Sequence, residues 1–472
     1  MKLHRKWHLL VLFGIMVCAS SSSRALNCTF VLATPGFIEF PSSGGQGFVN
    51  VSVGPDSGCT YFVSPSGAAI QSVGFLGLGG FSFTANANPG PSNLNGTLLI
   101  STGQASSSVS VTVDPPSAVL LGGLTTAVDP VANTVDVEYV SGDGDIQQLW
   151  FNGTWHKTDL SALTGSPSAS STGGIKTAFD SVSGTMEVHY IGTDQHVHTL
   201  WYNGTWHTTD LTTTTGALNE ISGSPLTVTR DTLFNTQDVH YIGTDQHVHL
   251  LWYDGSWHTE DLSAMAGAPN AASNSRLAAD FNTLANTVEV HYLGTDQHIH
   301  SFWYNGTWHT TDLMTTTGAL NAVAGSPITS MHDTLFNTQD IHYIGTDQHV
   351  HLLWYDGLWH TEDLSAMAGA LNAASGSPLA SDFNTLANTP EVHYLASDQH
   401  IHSFWYNGTW HTTDLMFTTG ATDAVAGSPL TSAVDTIANT VDLEYVGTDR
   451  HVRQLWYNGT WHTTDLTAAT TP

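Results

Sequence analysis

Seven tryptophans stand 51 residues apart, at Trp150, Trp201, Trp252, Trp303, Trp354, Trp405 and Trp456, and each brings the same polar side chains with it. Fourteen residues before this anchor stands an acid: Asp136, Glu187, Asp238, Glu289, Asp340, Glu391 or Asp442. Position −12 holds Glu138, His189, His240, His291, His342, His393 and Glu444, and position −3 holds Gln147, His198, His249, His300, His351, His402 and Arg453. An Asp recurs at −7, a second tryptophan at +5, a His at +6 and an Asp at +9. A carboxylate, two imidazoles and an indole suit a sugar ring: the indole stacks on its apolar face and the others hydrogen-bond its hydroxyls.

Catalysis does not fit this pattern. A glycosidase needs one acid paired with one base or nucleophile in an asymmetric centre, whereas every acid here returns seven times. No Ser-x-Asp-x-Gly-x-x-Trp, Gly-x-Ser-x-Gly, phosphate-loop or His-Glu-x-x-His motif occurs. The chain therefore reads as a non-enzyme. Pairs such as His196-Val197-His198 place two imidazoles on one face, but no third ligand of fixed identity accompanies them, so neither a metal nor another cofactor is expected.

The candidate binding groups come from five interior copies. They are Glu187, His189 and His198 with Trp206; Asp238, His240 and His249 with Trp257; Glu289, His291 and His300 with Trp308; Asp340, His342 and His351 with Trp359; and Glu391, His393 and His402 with Trp410. The first and last copies carry Glu138 with Gln147 and Glu444 with Arg453, and are expected to lack full sites. The same residues also suit a structural ladder of carboxylate–imidazole pairs with the tryptophans as glue between layers. That second reading makes the chain a protein-interaction or surface-structural scaffold. Solvent exposure of the +5 tryptophans separates the two.

The elements that carry these groups are strands. Glu187 to Ile191 alternates with period two, Gly192 to Gln195 supplies turn residues, and His196 to Tyr202 alternates again. Asn203-Gly204 predicts a type I′ hairpin turn, and Thr205 to Leu211 a last strand. An earlier strand is expected over Lys176 to Asp180, with a turn around Ser183-Gly184. On this reading the −14 and −12 side chains share one face, with the −3 imidazole beside them on the adjacent strand. The Asp at −7 and the Asn-Gly pair are structural turn residues, and the +9 Asp ties the outer strand to the next connection. Four short antiparallel strands per 51 residues predict a seven-bladed β-propeller over 120–472. Copies at Trp252 and Trp354 share Leu-Leu-Trp-Tyr-Asp-Gly and His-Thr-Glu-Asp, and those at Trp303 and Trp405 share Ser-Phe-Trp-Tyr-Asn-Gly and His-Thr-Thr-Asp, so the duplicated unit was two blades long.

The rest of the chain has an export signal and a second domain. Lys2, Arg5 and Lys6 precede an apolar run from Leu9 to Val17 and a Ser23-Arg24-Ala25 cleavage site, which makes 1–25 a signal peptide and the protein secreted. No later stretch reaches the ~18 apolar residues of a membrane span. Ten basic residues less the four in the leader leave six against forty acidic ones, a balance of −34. Nucleic acid is excluded as a partner, because no basic stripe exists to displace phosphate counterions. The 24 histidines beyond the leader make the charge depend on pH around their ordinary pKa of about 6.5. Residues 27–113 alternate in short strands and predict a β-sandwich. In an exported chain Cys28 and Cys59 read first as a disulfide and second as metal ligands. Asp114-Pro115-Pro116-Ser117 makes 114–119 a stiff linker. A monomer is expected.

Two resemblances extend this. Cys28, the Ser43-Gly-Gly45 turn, Val49-Asn-Val-Ser-Val53, Gly58-Cys-Thr60, Ala85-Asn-Ala-Asn88 and Asn95-Gly-Thr-Leu98 resemble the BACON domain, a small immunoglobulin-like module of secreted bacterial proteins, which implies a spacer or a mucin- or glycan-associated accessory, the spacer being favoured. The usual aromatic beyond its middle is replaced around Ala69-Ile70. Over about 350 residues the pattern Val-His-Tyr-x-Gly-x-Asp-x-x-[Val/Ile]-His-x-[Leu/Phe]-Trp-Tyr-Asn-Gly-x-Trp is similar to the repeats of fucose-binding propeller lectins. Those lectins hold a sugar between neighbouring blades with an arginine, a glutamate and an aromatic. The resemblance carries the aromatic onto Trp155, Trp206, Trp257, Trp308, Trp359, Trp410 and Trp461, and it implies fucosylated or similar neutral glycans as partners. The arginine's place is taken by the −14 acids and the glutamate's by His198 and its equivalents, so the polar pair differs in kind.

Overall fold

The computed structural model describes residues 28–40, 44–55, 59–75, 79–88, 94–113 and 119–470. The expected leader and all but the last residue of the linker lie outside the described residues. The architecture is all-β. Apart from two short segments, one compact unit ends at Thr112 and the other begins at Val113.

The first unit contains two four-stranded sheets. One runs Phe30–Thr34, Gly45–Gly54, Gly80–Ala85, Ile70–Phe75, and the other Phe37–Phe40, Ser106–Val113, Leu94–Ser101, Phe62–Gly67. Alternation decides what each strand buries: Val49 and Val51, Phe81 and Phe83, Leu98 and Ile100, and Val109 and Val111 are all inside. Cys28 and Cys59 form a disulfide with their Cα atoms 5.7 Å apart.

The second unit consists of the repeats. The copy anchored at Trp201 has strands Ile175–Asp180, Thr185–Ile191, Val197–Tyr202 and Trp206–Asp210, each paired antiparallel with the next, and then a helix over Leu211–Thr215. Seven sheets of this kind occupy Val119 to Asp465. Their first strands neighbour one another in chain order, and the last of them, Leu430–Asp435, lies against the first, Val119–Asp129. A central opening of about 180 Å³ is lined by residues at one register of successive first strands: Lys176, Thr227, Ala278, Thr329, Ala380 and Thr431.

Two local details differ from the sequence reading. The last strand stops at Asp210, because this residue caps a helix: its carboxylate accepts from Thr213 N at 2.8 Å, and Gly216 closes the helix at φ 70°. The hairpin turn is not type I′. Tyr202 pairs with Trp206, which leaves three residues in the loop, and of these Gly204 alone has positive φ, at 110°. A three-residue loop needs only one such residue to absorb the strand twist. Asn203 instead uses its side-chain oxygen, 3.1 Å from His207 Nε2, and the His207 ring stacks on Trp201 at 4.2 Å.

The core runs across neighbouring sheets. Ile242, Val248 and Leu262 of one repeat pack with Val290, Tyr292 and Phe302 of the next. Tyr190, Tyr241, Tyr292, Tyr343, Tyr394 and Tyr445 are wholly buried. Each hydroxyl finds the acceptor that burial demands, a carbonyl in the connector before its sheet, as Tyr190 does at Pro167 O (2.9 Å).

Candidate functional site

The −14, −12 and −3 residues of one repeat do not converge. Glu187 pairs with Trp201 and His189 with Thr199, but His198 pairs with Tyr190 and so stands on the opposite face. The same holds for His249, His300, His351 and His402, opposite Tyr241, Tyr292, Tyr343 and Tyr394. A register one residue away from the expected one moves a side chain to the other side of a sheet. His198 stacks on Tyr190 at 5.3 Å and hydrogen-bonds Asp194 at 3.1 Å, so the turn Asp fixes both the turn and this imidazole. Asp194, His196 and Asp210 form a compact group with the buried His198, and Asp245, His247 and Asp261 form a similar one nearer the surface.

The −12 residues lie in the seam between sheets. His189, His240, His291, His342 and His393 are fully buried. Burial pushes His240, His291 and His342 down to about 3, so these rings stay neutral. The end copies explain what the seam wants. There Glu138 accepts from Thr177 and Glu444 from Thr126, each at 2.6 Å, and each bond joins two neighbouring sheets.

The −14 acid meets tryptophans from two repeats. Asp238, the anchor Trp252 and Glu260 of one repeat face Tyr304 and Trp308 of the next across a cavity of about 360 Å³. Asp340, Trp354, Glu362, Tyr406 and Trp410 repeat this arrangement around about 340 Å³. Trp308 Nε1 donates to Glu260 Oε2 at 3.1 Å, and Phe234 closes the rim edge-on to Tyr304, ring centres 5.3 Å apart. Asp238 accepts from Thr236 Oγ1 at 2.7 Å, and burial raises it to about 7. The end copies are not bare: Asp136 lines a cleft with Trp206, and Asp442 one with Trp155 at the closing interface. In the copies with Glu at −14 the longer side chain is tied to its own sheet, as Glu289 is by Asn282 (3.1 Å).

Trp155, Trp206, Trp308 and Trp410 therefore face the preceding repeat's acid, not their own, and Trp257 and Trp461 stand edge-on to the preceding repeat's His189 and His393. Trp308 and Trp410 are 9% and 7% exposed, and the other five are half-buried. Sequence reasoning missed Phe234, Tyr304 and their equivalents Phe336 and Tyr406. A signal was available: Thr-Leu-Phe-Asn-Thr-Gln occurs at 232–237 and 334–339, in the same two copies that carry Glu260 and Glu362.

No family model and no curated protein matches the chain. Solved structures do. The BP39L lectin from Burkholderia pseudomallei is 14% identical, with 73% of this chain and 98% of that one covered, at a TM-score of 0.57. AofleA from Arthrobotrys oligospora is 13% identical (74% and 88% covered, TM-score 0.46), and the Aleuria aurantia lectin, described as a six-bladed β-propeller with a novel fucose recognition mode, is 15% identical (63% and 96% covered, TM-score 0.44). The chain thus shares with the BP39L lectin an all-β fold, here built of repeated four-stranded sheets.

Proposed function

We propose that the chain is a secreted, multivalent, non-catalytic carbohydrate-binding protein. The seven repeat sheets are the blades of one β-propeller, and sugars sit in the clefts between successive blades. The observation that carries this reading is the cleft of Asp238, Glu260, Trp252, Tyr304 and Trp308 with its near copy one blade pair later. Aromatic faces stack a pyranose, and the carboxylates accept from its hydroxyls. Fucosylated or similar neutral glycans are the expected ligands. Repetition makes weak sites sufficient, because simultaneous engagement of a glycan-coated surface raises avidity by roughly 10²–10⁴. The N-terminal unit is an immunoglobulin-like spacer.

A glycan array with the full chain tests this. The expected result is binding to a defined glycan set, with Trp308→Ala weakening the sugar affinity of its cleft by about 2 kcal/mol, roughly thirtyfold. The near-complete burial of Trp308 and Trp410 favours the scaffold reading instead. No bound glycan, or a Trp308→Ala variant that fails to fold while the folded parent shows no glycan binding at this cleft, decides for it. Residues 118–472 expressed alone are expected to give a soluble monomer with one cooperative unfolding transition. Size-exclusion chromatography and calorimetry check this, and a polymer or an unfolded chain would defeat the single-propeller reading.

A further inference from the structure

One repeat gathers a set of buried polar groups that none of the described residues satisfies. Asp382 sits on the first strand, Leu379–Asn384, directly across from Glu391 on the second strand, Thr389–Leu395, with His393 two residues on. They are 9%, 4% and 0% exposed. Both oxygens of Asp382, Oε2 of Glu391 and both ring nitrogens of His393 have no hydrogen-bond partner. Glu391 Oε1 alone is engaged, accepting from Asn384 Nδ2 at 3.0 Å. Burying carboxylates unpaired is among the costliest arrangements a fold can hold.

The sister copy 102 residues earlier shows how the position is satisfied elsewhere. There Asp280 accepts from Gln339 Nε2 of the next sheet at 3.1 Å and from Phe281 N at 2.8 Å. The residue matching Gln339 is Val441, which has no donor to offer. The copy anchored at Trp201 carries Ala178 at this register, with no carboxylate at all. The copy with Asp382 is thus distinct: it keeps the acid and loses the donor.

We propose that Asp382, Glu391 and His393 bind one divalent transition-metal ion of the zinc type. His393 Nε2 lies 3.7 Å from Asp382 Oδ2 and 3.8 Å from Glu391 Oε2, and one ligand atom from each of the three residues falls within 4.8 Å of the others. Ligands about 2.0–2.2 Å from a tetrahedral ion stand about 3.3–3.6 Å apart, so a small inward shift completes three of four positions. One imidazole nitrogen with two carboxylate oxygens selects a borderline ion over calcium or magnesium, which take oxygen alone. A doubly charged ion also neutralises the two facing acids.

The full chain, stripped with EDTA and desalted, is titrated with zinc chloride, and the ions retained per chain are counted by native mass spectrometry. Asp382→Ala, which copies Ala178, is expected to retain one ion fewer than the parent and to lose part of the zinc-induced rise in melting temperature. Any zinc taken up by the Asp/His groups elsewhere is the same in both proteins, so the difference isolates the buried site. Should Asp382→Ala not fold, Val441→Gln carries the same test: it keeps all three ligands, restores the donor seen at Gln339, and is expected to retain one ion fewer. No retained zinc, or a count that the folded variant leaves unchanged, overturns the proposal.

Discussion

The melting temperature of the full chain is expected to fall as the pH is raised from about 5 to about 8. Burial lifts Asp238 and Asp340 to about 7 and Glu289 to about 8, far above their ordinary values near 4. An acid whose pKa is higher in the folded state stabilises the fold fully below its unfolded value. That contribution drains away as the pH climbs through the folded one. The window is therefore about pH 4 to 8. His240, His291 and His342 work the other way: held near 3, they favour the fold above about 6.5 and penalise it as the pH drops. Over pH 5 to 8 the acids dominate, because they titrate across the whole interval and the histidines only below its middle. Each acid is worth on the order of a few kcal/mol, and each kcal/mol moves the transition by roughly 2–4 °C. Thermal melts at three pH values check this, and Asp238→Asn with Asp340→Asn should flatten the profile. A melting temperature that holds steady or rises toward pH 8 rules it out.

Tyr292→Ala is expected to cost about 3–5 kcal/mol, and Tyr292→Phe about 1 kcal/mol. The ring is wholly buried, stacks on Phe302 at 5.1 Å and sits in a core drawn from two sheets, so its removal opens a cavity that both sheets feel. Its hydroxyl donates to Pro269 O at 2.8 Å, and Phe leaves only that carbonyl unpaired. Urea denaturation followed by tryptophan fluorescence measures both. A loss below about 1 kcal/mol for the Ala variant would show that the seam between sheets is not part of the cooperative core.

Residue types by themselves mislead about the response to pH. Twenty-four histidines beyond the leader invite an account in which imidazoles charge between pH 7 and 5. Those at −12 are sealed in the seam, whereas burial lifts the cleft carboxylates Asp238 and Asp340 to about 7, into that range. Burial reversed the roles, and burial is not readable from a residue's type. The end copies teach the same lesson. Glu138 and Glu444 look like degenerate positions, yet they are the acceptors that fasten the first sheet to its two neighbours.

Pattern alone gives the repeat, its 51-residue period, the four strands of each copy and the turn position of the Asp at −7, but not the type of the hairpin turn. These are local: alternation, turn chemistry and a periodic tryptophan need no knowledge of what lies across a gap. It also singled out the −14 acids and +5 tryptophans as side chains able to hold a sugar. Which of them meet follows from strand register and the packing of neighbouring sheets. Strand register turned His198 away from Glu187, and the stacking of successive sheets set Trp308 opposite Asp238 and Glu260, although 70 and 48 residues separate them in the chain. A cleft between sheets is made from two faces that each repeat presents to its neighbour. The composition of one repeat says what those faces carry, and the packing of two says what they enclose.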